Sequence, residues 1–228
     1  AIFWIGGAAN DAVIGSYFEN NTALTNNLTK TDSYGGAIYW SNSDHVTFGA
    51  SVLNSTFVNN TAGRHGGAVS WFRADDSVID GCSFISNYAF YDGGGLYVGH
   101  DTSDGKNLTV SNCNFTGNYA GGRGGAVSHQ FYGSHYINVN FINNSAMEGG
   151  SVYSRNGKAN HTEFVGCKFI NSFTRIVHPK GVGSLNGGAA YFEVPYISFI
   201  SCEFINCSVS KGHEGAAIYL TSYATYML

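Results

Sequence analysis

Acidic side chains are the first candidates for chemistry in this chain of 228 residues. Asp75 and Asp76 form its only adjacent acidic pair, Asp80 follows within reach, and Asp101 and Asp104 form a second acidic turn. Cleavage of a polysaccharide needs clustered carboxylates, with Arg or Lys near them or a bound calcium ion. Neither acidic group has a matching acid at the equivalent position of the next repeat, and the eight His residues are scattered. The sequence therefore predicts that the protein is not an enzyme, with a polysaccharide lyase or hydrolase as an alternative.

Four of the five cysteines share one repeated position, two residues before a Phe: Cys82, Cys113, Cys167 and Cys202. Stacked cysteines could form disulfides between neighbouring repeats, or they could remain reduced and buried as small apolar residues. We favour the reduced ladder because Ser and Val occupy the same position in other repeats. No C-x-x-C pair occurs, and we predict neither a metal site nor a cofactor.

Sequons of the form N-x-(S/T) could carry N-linked glycans. Nine occur, at Asn20, Asn27, Asn54, Asn59, Asn107, Asn114, Asn143, Asn160 and Asn206. Four of these share a position two residues after a Phe, and we expect them to point outward along one edge: Asn20, Asn59, Asn143 and Asn206. An exported glycoprotein would explain the sequons, but Asn-Asn-Thr is also good turn-forming chemistry. Both explanations remain open.

Aromatic residues recur four residues after the first Gly of successive Gly pairs. The tyrosines at this position are Tyr39, Tyr97, Tyr153, Tyr191 and Tyr219. If the preceding residue faces inward, alternation along a strand places each tyrosine outward. We expect an exposed stripe that stacks on sugars or packs against another protein. A self-stacking ladder without a ligand is the alternative.

Two repeats carry insertions, at residues 24–34 and 174–186. The second insertion contains Arg175, His178 and Lys180, in the densest basic cluster of the chain. Loops on a rigid scaffold often carry binding residues. We expect these three side chains to contribute to ligand binding, with tolerated surface loops as the alternative.

The positions above recur because the chain itself is a repeat. The pattern F-x-x-N-x-A is followed by G-G-A-(I/V) about nine residues after the Phe, and the Gly pairs are 25 to 38 residues apart. Short apolar segments punctuated by Gly and Asn indicate strands, and strand units of this length stack as coils of a parallel β-helix. We predict an all-β solenoid of about eight coils, formed by residues 1–228 as a single domain within a longer surface protein.

Stacking would turn each repeated position into a ladder along the helix axis. One predicted interior ladder consists of Phe57, Phe84, Phe115, Phe141, Phe169 and Phe204. A second consists of Asn60, Asn87, Asn118 and Asn144, since Asn suits a turn and stacked amides can bond from coil to coil. The last two repeats depart from the pattern, with Ser172 and Cys207 in place of Asn.

The paired G-G-A-(I/L/V) and F-x-x-N motifs resemble the repeats of chlamydial polymorphic outer-membrane proteins. They are also similar to repeats of adhesin-like surface proteins of methanogenic archaea, as in residues 112–115, 141–144 and 35–40. The resemblance covers essentially the whole chain. It implies a right-handed parallel β-helix of the pectin-lyase-like type, placed at the cell surface and used in adhesion or envelope structure.

The composition limits the classes of partner that the protein can bind. The net charge is −4 and no Lys/Arg cluster could neutralise phosphates, so we predict no nucleic-acid partner. No apolar run is long enough to span a membrane in this segment. We predict a non-enzymatic, adhesin-like extracellular protein that binds surface glycans or other envelope proteins. A structural filament or sheath subunit, assembled end to end through open β-helix ends, is the second interpretation.

Overall fold

The computed structural model describes residues 2–5, 10–24, 33–41, 47–72, 74–99, 107–130, 133–155, 161–176, 184–193 and 196–221. In these ranges the chain forms strands and no α-helix, so they hold no helix that could cross a membrane. The described strands pair in parallel, each with the equivalent strand of the neighbouring repeat. This is the right-handed parallel β-helix that the sequence predicts. Whether residues 1–228 form a single domain stays a prediction.

Four long sheets run along the helix axis, and each coil contributes one strand to most of them. Sheet 1 consists of Ile2–Ile5, Ile38–Ser41, Val69–Trp71, Leu96–Val98, Val127–His129, Val152–Arg155, Ala190–Glu193 and Ile218–Leu220. Sheet 2 consists of Ala12–Ile14, Ser51–Leu53, Val78–Asp80, Thr109–Ser111, His135–Ile137, Thr162–Val165 and Ile197–Ile200.

Sheets 3 and 4 follow the corner after sheet 2. Sheet 3 consists of Tyr17–Glu19, Thr56–Val58, Ser83–Ile85, Asn114–Thr116, Asn140–Ile142, Lys168–Ile170 and Glu203–Ile205. Sheet 4 consists of Thr22–Ala23, Thr61–Ala62, Tyr88–Ala89, Tyr119–Ala120, Ser145–Ala146 and Phe173–Thr174. A short additional pair joins Thr47–Phe48 to Ala74–Asp75.

Left-handed backbone conformations make the corners between sheets. Asn54 (φ 49°) lies between sheets 2 and 3, and Asn59 (φ 52°) lies between sheets 3 and 4. Asn and Gly adopt this conformation at least cost, which is why they punctuate the repeat. At the corner before sheet 1, Gly66 has φ 68°, and a Cβ on Gly67 would lie 2.1 Å from the carbonyl oxygen of Gly94. The Gly pair therefore combines a turn with close contact between coils, as expected.

The Phe residues form one interior row. Phe57, Phe84 and Phe115 are in register in sheet 3, and all three are fully buried. The ring centroids of Phe57 and Phe84 are 4.8 Å apart, and those of Phe84 and Phe115 are 4.5 Å apart. The row continues through Phe141, Phe169 and Phe204. The predicted ladder is confirmed.

The Asn ladder is a chain of buried amides. Asn87 Nδ2 donates to Asn118 Oδ1 (2.9 Å) and to the carbonyl oxygen of Phe57 (3.0 Å). Asn118 Nδ2 repeats both contacts one coil further, with Asn144 Oδ1 (3.1 Å) and the carbonyl of Phe84 (2.9 Å). Each amide thus joins consecutive coils and satisfies backbone groups at the corner.

Where the ladder loses its Asn, a second substitution compensates. Ser172 occupies the next position, and its hydroxyl lies 2.6 Å from that of Ser151. Ser151 stands where most repeats have Ala or Gly after the Gly pair, and it also accepts from Asn144 Nδ2 (3.4 Å). Ser172, which replaces the Asn of the ladder, is therefore still hydrogen-bonded inside the coil.

Side chains of sheets 1 and 2 together fill the interior of each coil. The large Trp40 of sheet 1 shares its coil with the small Val52 of sheet 2, and the small Ser154 shares its coil with the large Phe164. The match is not general, since Val98 and Val110 share a coil and are both small. All of these side chains are fully buried or nearly so, as close packing of an interior requires.

Candidate functional site

The tyrosine stripe faces outward, but it is not an exposed surface. Tyr97, Tyr153 and Tyr191 are only 4%, 1% and 7% exposed, whereas Tyr39 and Tyr219 are partly exposed. The expectation of an exposed stripe is wrong for the three buried residues. Alternation correctly gives the direction of each side chain, but other side chains lie over them.

The residue before each Gly pair provides that cover. We call this set the corner row: Tyr34, His65, Asp92, Arg123, Glu148, Asn186 and Glu214. The His65 ring stacks on Tyr97 with centroids 4.4 Å apart, and the Arg123 guanidinium lies 4.9 Å from the centre of the Tyr153 ring. The edge of Phe72 closes the same side, at 5.8 Å from Tyr97.

Charged and polar groups of the corner row bond to one another along the axis. Asp92 Oδ1 accepts the backbone N–H of Arg123 at 3.0 Å, whereas Asp92 Oδ2 and His65 Nδ1 are 3.4 Å apart and form no hydrogen bond. Arg123 Nε donates to Glu148 Oε2 at 3.0 Å, and Ser184 Oγ donates to Glu148 Oε1 at 2.8 Å. The row therefore links coils through charge-assisted bonds on the outside, as the Asn ladder does on the inside.

Burial shifts the ionisation of this row. Desolvation raises the pKa of Asp92 to about 6, against smaller lowering effects from Arg123 and Arg64. Desolvation also lowers the pKa of His65 to about 3, and Arg64 and Arg123 lower it further. His65 is thus neutral at physiological pH, and Asp92 gains its proton under mildly acidic conditions.

Sequence reasoning missed the corner row as a functional candidate. Its seven members are of six residue types, so the position shows no consistent residue. The available signal was its regular place directly before each Gly pair, combined with charges of opposite sign in consecutive repeats.

The outer surface of sheet 4 carries a different aromatic row that is partly open to solvent. Tyr88 and Tyr119 stack with ring centroids 5.1 Å apart, and each is half-buried. The next position in the row is Ser145, which leaves room beside Tyr119. The exposed Arg175 fills this room, with its guanidinium carbon 3.7 Å from the centre of the Tyr119 ring.

Glycines lie beside this row in the same coil as Tyr119. No side chain rises from Gly121 or Gly122, and Gly122 N–H donates to the carbonyl oxygen of Tyr91 at 2.6 Å. Tyr91 itself is 51% exposed on the preceding coil. We call the surface formed by Tyr88, Tyr91, Tyr119, Arg123 and Arg175 the arginine–tyrosine face. Its chemistry suits ligands that combine flat apolar rings with hydrogen-bonding or anionic groups.

The inserted loops are only partly described. Of the three residues predicted to bind a ligand there, Arg175 lies on the arginine–tyrosine face, whereas His178 and Lys180 fall outside the described residues. Residues 25–32 of the first insertion fall outside them as well.

The sequon asparagines that the structure describes are all exposed: Asn20, Asn54, Asn59, Asn107, Asn114, Asn143 and Asn206. Within the expected edge, Asn59 has φ 52° and Asn143 has φ 56°, so the column forms a left-handed corner that points into solvent. Asn27 and Asn160 fall outside the described residues. Whether glycans are attached stays a prediction.

The acidic candidates are bonded to the next coil rather than gathered around a cleft. Asp76 Oδ1 accepts from Asn107 Nδ2 at 2.9 Å. Asp80 Oδ1 accepts from Ser111 Oγ at 2.6 Å and from Asn112 Nδ2 at 2.8 Å, and these bonds lower the pKa of its carboxyl. Asp101 and Asp104 fall outside the described residues. In the part of the chain that is described, no three His, Cys, Asp or Glu side chains converge as metal ligands would.

The cysteine column lies inside the coil, and its members are free thiols. Cys82, Cys113 and Cys167 are buried, and Cys202 is partly exposed. Sγ of Cys113 accepts from the backbone N–H of Cys82 at 3.4 Å, as Ser55 Oγ does from Ser16 N–H at 3.1 Å. Cys and Ser at this position thus accept the same backbone hydrogen bond from the preceding coil.

Comparison with known proteins agrees with the repeat. The family model of the Chlamydia polymorphic membrane protein repeat matches residues 15–39, 54–70 and 112–130. No curated protein and no solved structure matches the chain. The predicted resemblance to the chlamydial repeats is therefore confirmed, and the resemblance to the archaeal adhesin-like proteins stays a prediction.

Proposed function

We propose that this chain is part of a non-enzymatic, adhesin-like protein of the cell surface, whose β-helix presents one long side to the glycans of another surface. The matches to a membrane-protein repeat support the surface location. The observation that carries the binding role is the half-buried Tyr88–Tyr119 stack, capped by the exposed guanidinium of Arg175.

Packing alone does not account for tyrosine at these two positions. The same position in other coils holds Thr22, Thr61, Ser145 and Ser208, which are small and polar, and the aromatic Phe173. The coils pair in register whichever residue is present, because the backbone bonds of sheet 4 and the buried Ala at the next position hold them. Two stacked phenol rings at the surface are costly in exposed apolar area, and sugar rings are a ligand that such rings bind well.

The test uses substitutions that the repeat itself contains. The double variant Tyr88→Ser and Tyr119→Ser matches Ser145, and the control Ile205→Thr matches Thr116 at an exposed position of sheet 3. We expect the unaltered protein and the control to bind intact cells, and the double variant to bind about tenfold more weakly, as for loss of an aromatic contact.

Pretreatment of the cells identifies the partner class. Periodate oxidation of surface glycans should abolish binding, whereas protease treatment should leave it. Loss of binding after protease treatment alone would assign the face to neighbouring surface proteins. Equal binding by the double variant and the unaltered protein would refute the proposed site.

A further inference from the structure

We propose that the arginine–tyrosine face binds an acidic polysaccharide, whose sugar rings lie against Tyr91 and the exposed edges of Tyr88 and Tyr119 while a carboxylate is held by Arg175. This inference rests on the proposed function and names the ligand class of that site.

Arginine side chains lie over tyrosine rings on the side of the helix that carries the arginine–tyrosine face. Three arginines of the described chain lie over tyrosine rings, and all three are on this side of the helix. They are Arg64 over Tyr34 (5.5 Å), Arg123 over Tyr153 (4.9 Å) and Arg175 over Tyr119 (3.7 Å). The same side also carries the carboxylates of Asp92 and Glu148, which lie against Arg123. The attraction of an anion to this face therefore falls mainly to Arg175.

Arg123 and Arg175 differ in whether they form an ion pair. Glu148 forms an ion pair with Arg123 through Nε, and Glu148 is itself 8% exposed. Among the ion pairs of the described residues, none involves Arg175. Its guanidinium is exposed and held in place by Tyr119, so its outer edge can donate to a carboxylate.

The shape of the surface beside Tyr119 also supports a polysaccharide ligand. Arg175 shares its repeated position with Gly121, two coils away, and Met147 lies between them. The backbone of Gly122 is partly exposed, and Tyr91, which is 51% exposed, lies beside it on the preceding coil. The exposed backbone and phenol hydroxyl groups can bond sugar hydroxyls, while the ring of Tyr91 contacts the apolar face of a sugar ring.

Oligogalacturonate and its methyl ester are suitable probes, because they share the same sugar rings and the ester replaces each carboxylate by a neutral group. We expect the unaltered protein to bind the acid form at least about tenfold more tightly than the ester, since bonds to charged groups are the stronger ones. Arg175→Gln should remove most of that difference. The control Lys168→Gln should retain it, because Lys168 lies on sheet 3 and pairs with Glu203 at 2.9 Å.

Polyglutamate tests whether negative charge alone suffices. Weak binding of polyglutamate, with tight binding of oligogalacturonate, supports the proposal. It is overturned if polyglutamate binds equally well, if Lys168→Gln weakens binding as much as Arg175→Gln, or if ester and acid bind alike. Binding of neutral glycans that Tyr88→Ser and Tyr119→Ser abolish would leave the proposed function standing without this inference. Failure of every glycan to bind would refute both.

Discussion

Asn118 receives two hydrogen bonds from Asn87 on a single side-chain oxygen, from the backbone N–H at 3.0 Å and from Nδ2 at 2.9 Å. Its own amide passes the pattern on to Asn144 and to the carbonyl of Phe84. One buried side chain therefore joins its own coil to the coils before and after it.

Replacing Asn118 by Ala should lower the free energy of unfolding by about 3 kcal/mol or more, because buried donors and acceptors lose their partners. Urea unfolding followed by circular dichroism measures this. The matched control is Asn59→Gly, at an exposed corner whose equivalent in another coil is Gly117, and we expect a change within about 0.5 kcal/mol. Equal effects of the two changes would contradict the ladder.

Substitution should destabilise the protein severely at Gly67 and have almost no effect at Gly15. A Cβ on Gly67 would lie 2.1 Å from the carbonyl oxygen of Gly94, so Gly67→Ala should prevent folding or destabilise the protein severely. At Gly15 a Cβ meets nothing within 4 Å, and Asn54 occupies the equivalent left-handed corner. We expect Gly15→Asn to leave the thermal midpoint nearly unchanged. A folded Gly67→Ala variant of normal stability would show that the coils are further apart at this corner.

Stability should fall as the pH decreases below about 6.5. Burial lowers the pKa of His129 to about 3, and His129 Nδ1 lies 2.9 Å from the hydroxyl oxygen of Tyr136. A histidine whose pKa is lower in the folded state than in the unfolded state stabilises the fold fully when the pH is above its unfolded-state pKa. This stabilisation is lost as the pH falls toward the folded-state pKa. Between pH 7 and pH 5 the loss for one such His is about 2 kcal/mol.

The double variant His129→Val and Tyr136→Phe removes this titration with residues that neighbouring coils carry, Val98 and Phe164. Its unfolding free energy should depend less on pH by about the same 2 kcal/mol. His65 contributes in the same direction in both proteins. Asp92, whose pKa burial raises, acts oppositely because its contribution is lost as the pH rises from 3.8 to about 6. An unchanged pH dependence in the double variant would show that His129 is not buried.

The exposed sequons predict glycans when the protein is made in a host that glycosylates exported proteins. Asn59 is exposed at a left-handed corner, and Thr61 follows on the outer surface of sheet 4. Intact mass spectrometry should therefore show a mass above that of the polypeptide, and Asn59→Gly should reduce it by one glycan. A mass equal to the bare polypeptide would mean that these asparagines serve as turn residues alone.

The repeat made most of the architecture predictable. Residues such as Phe84, Asn87 and Gly93 recur at fixed positions, and stacking like residues requires only that successive coils superimpose. The tyrosine stripe was less predictable because alternation indicates which way Tyr153 points but not that Arg123 covers it. That cover comes from a position whose residue type changes from one repeat to the next.

The arginine–tyrosine face could be found from the sequence only in part. Arg175 stood out within a basic cluster, but its contact with Tyr119 crosses an intervening coil and depends on the small Ser145. A contact of this kind leaves no pattern in a single repeat. It becomes visible only when three coils are stacked.

The most direct test of the binding role is to map ligand contacts by backbone amide chemical-shift changes while oligogalacturonate is added. We predict saturable shifts at Tyr88, Tyr91, Tyr119, Gly122 and Arg175, and unchanged amides at Ile85 on sheet 3 and Ile137 on sheet 2. Shifts confined to sheets 2 and 3, with the arginine–tyrosine face unaffected, would contradict it.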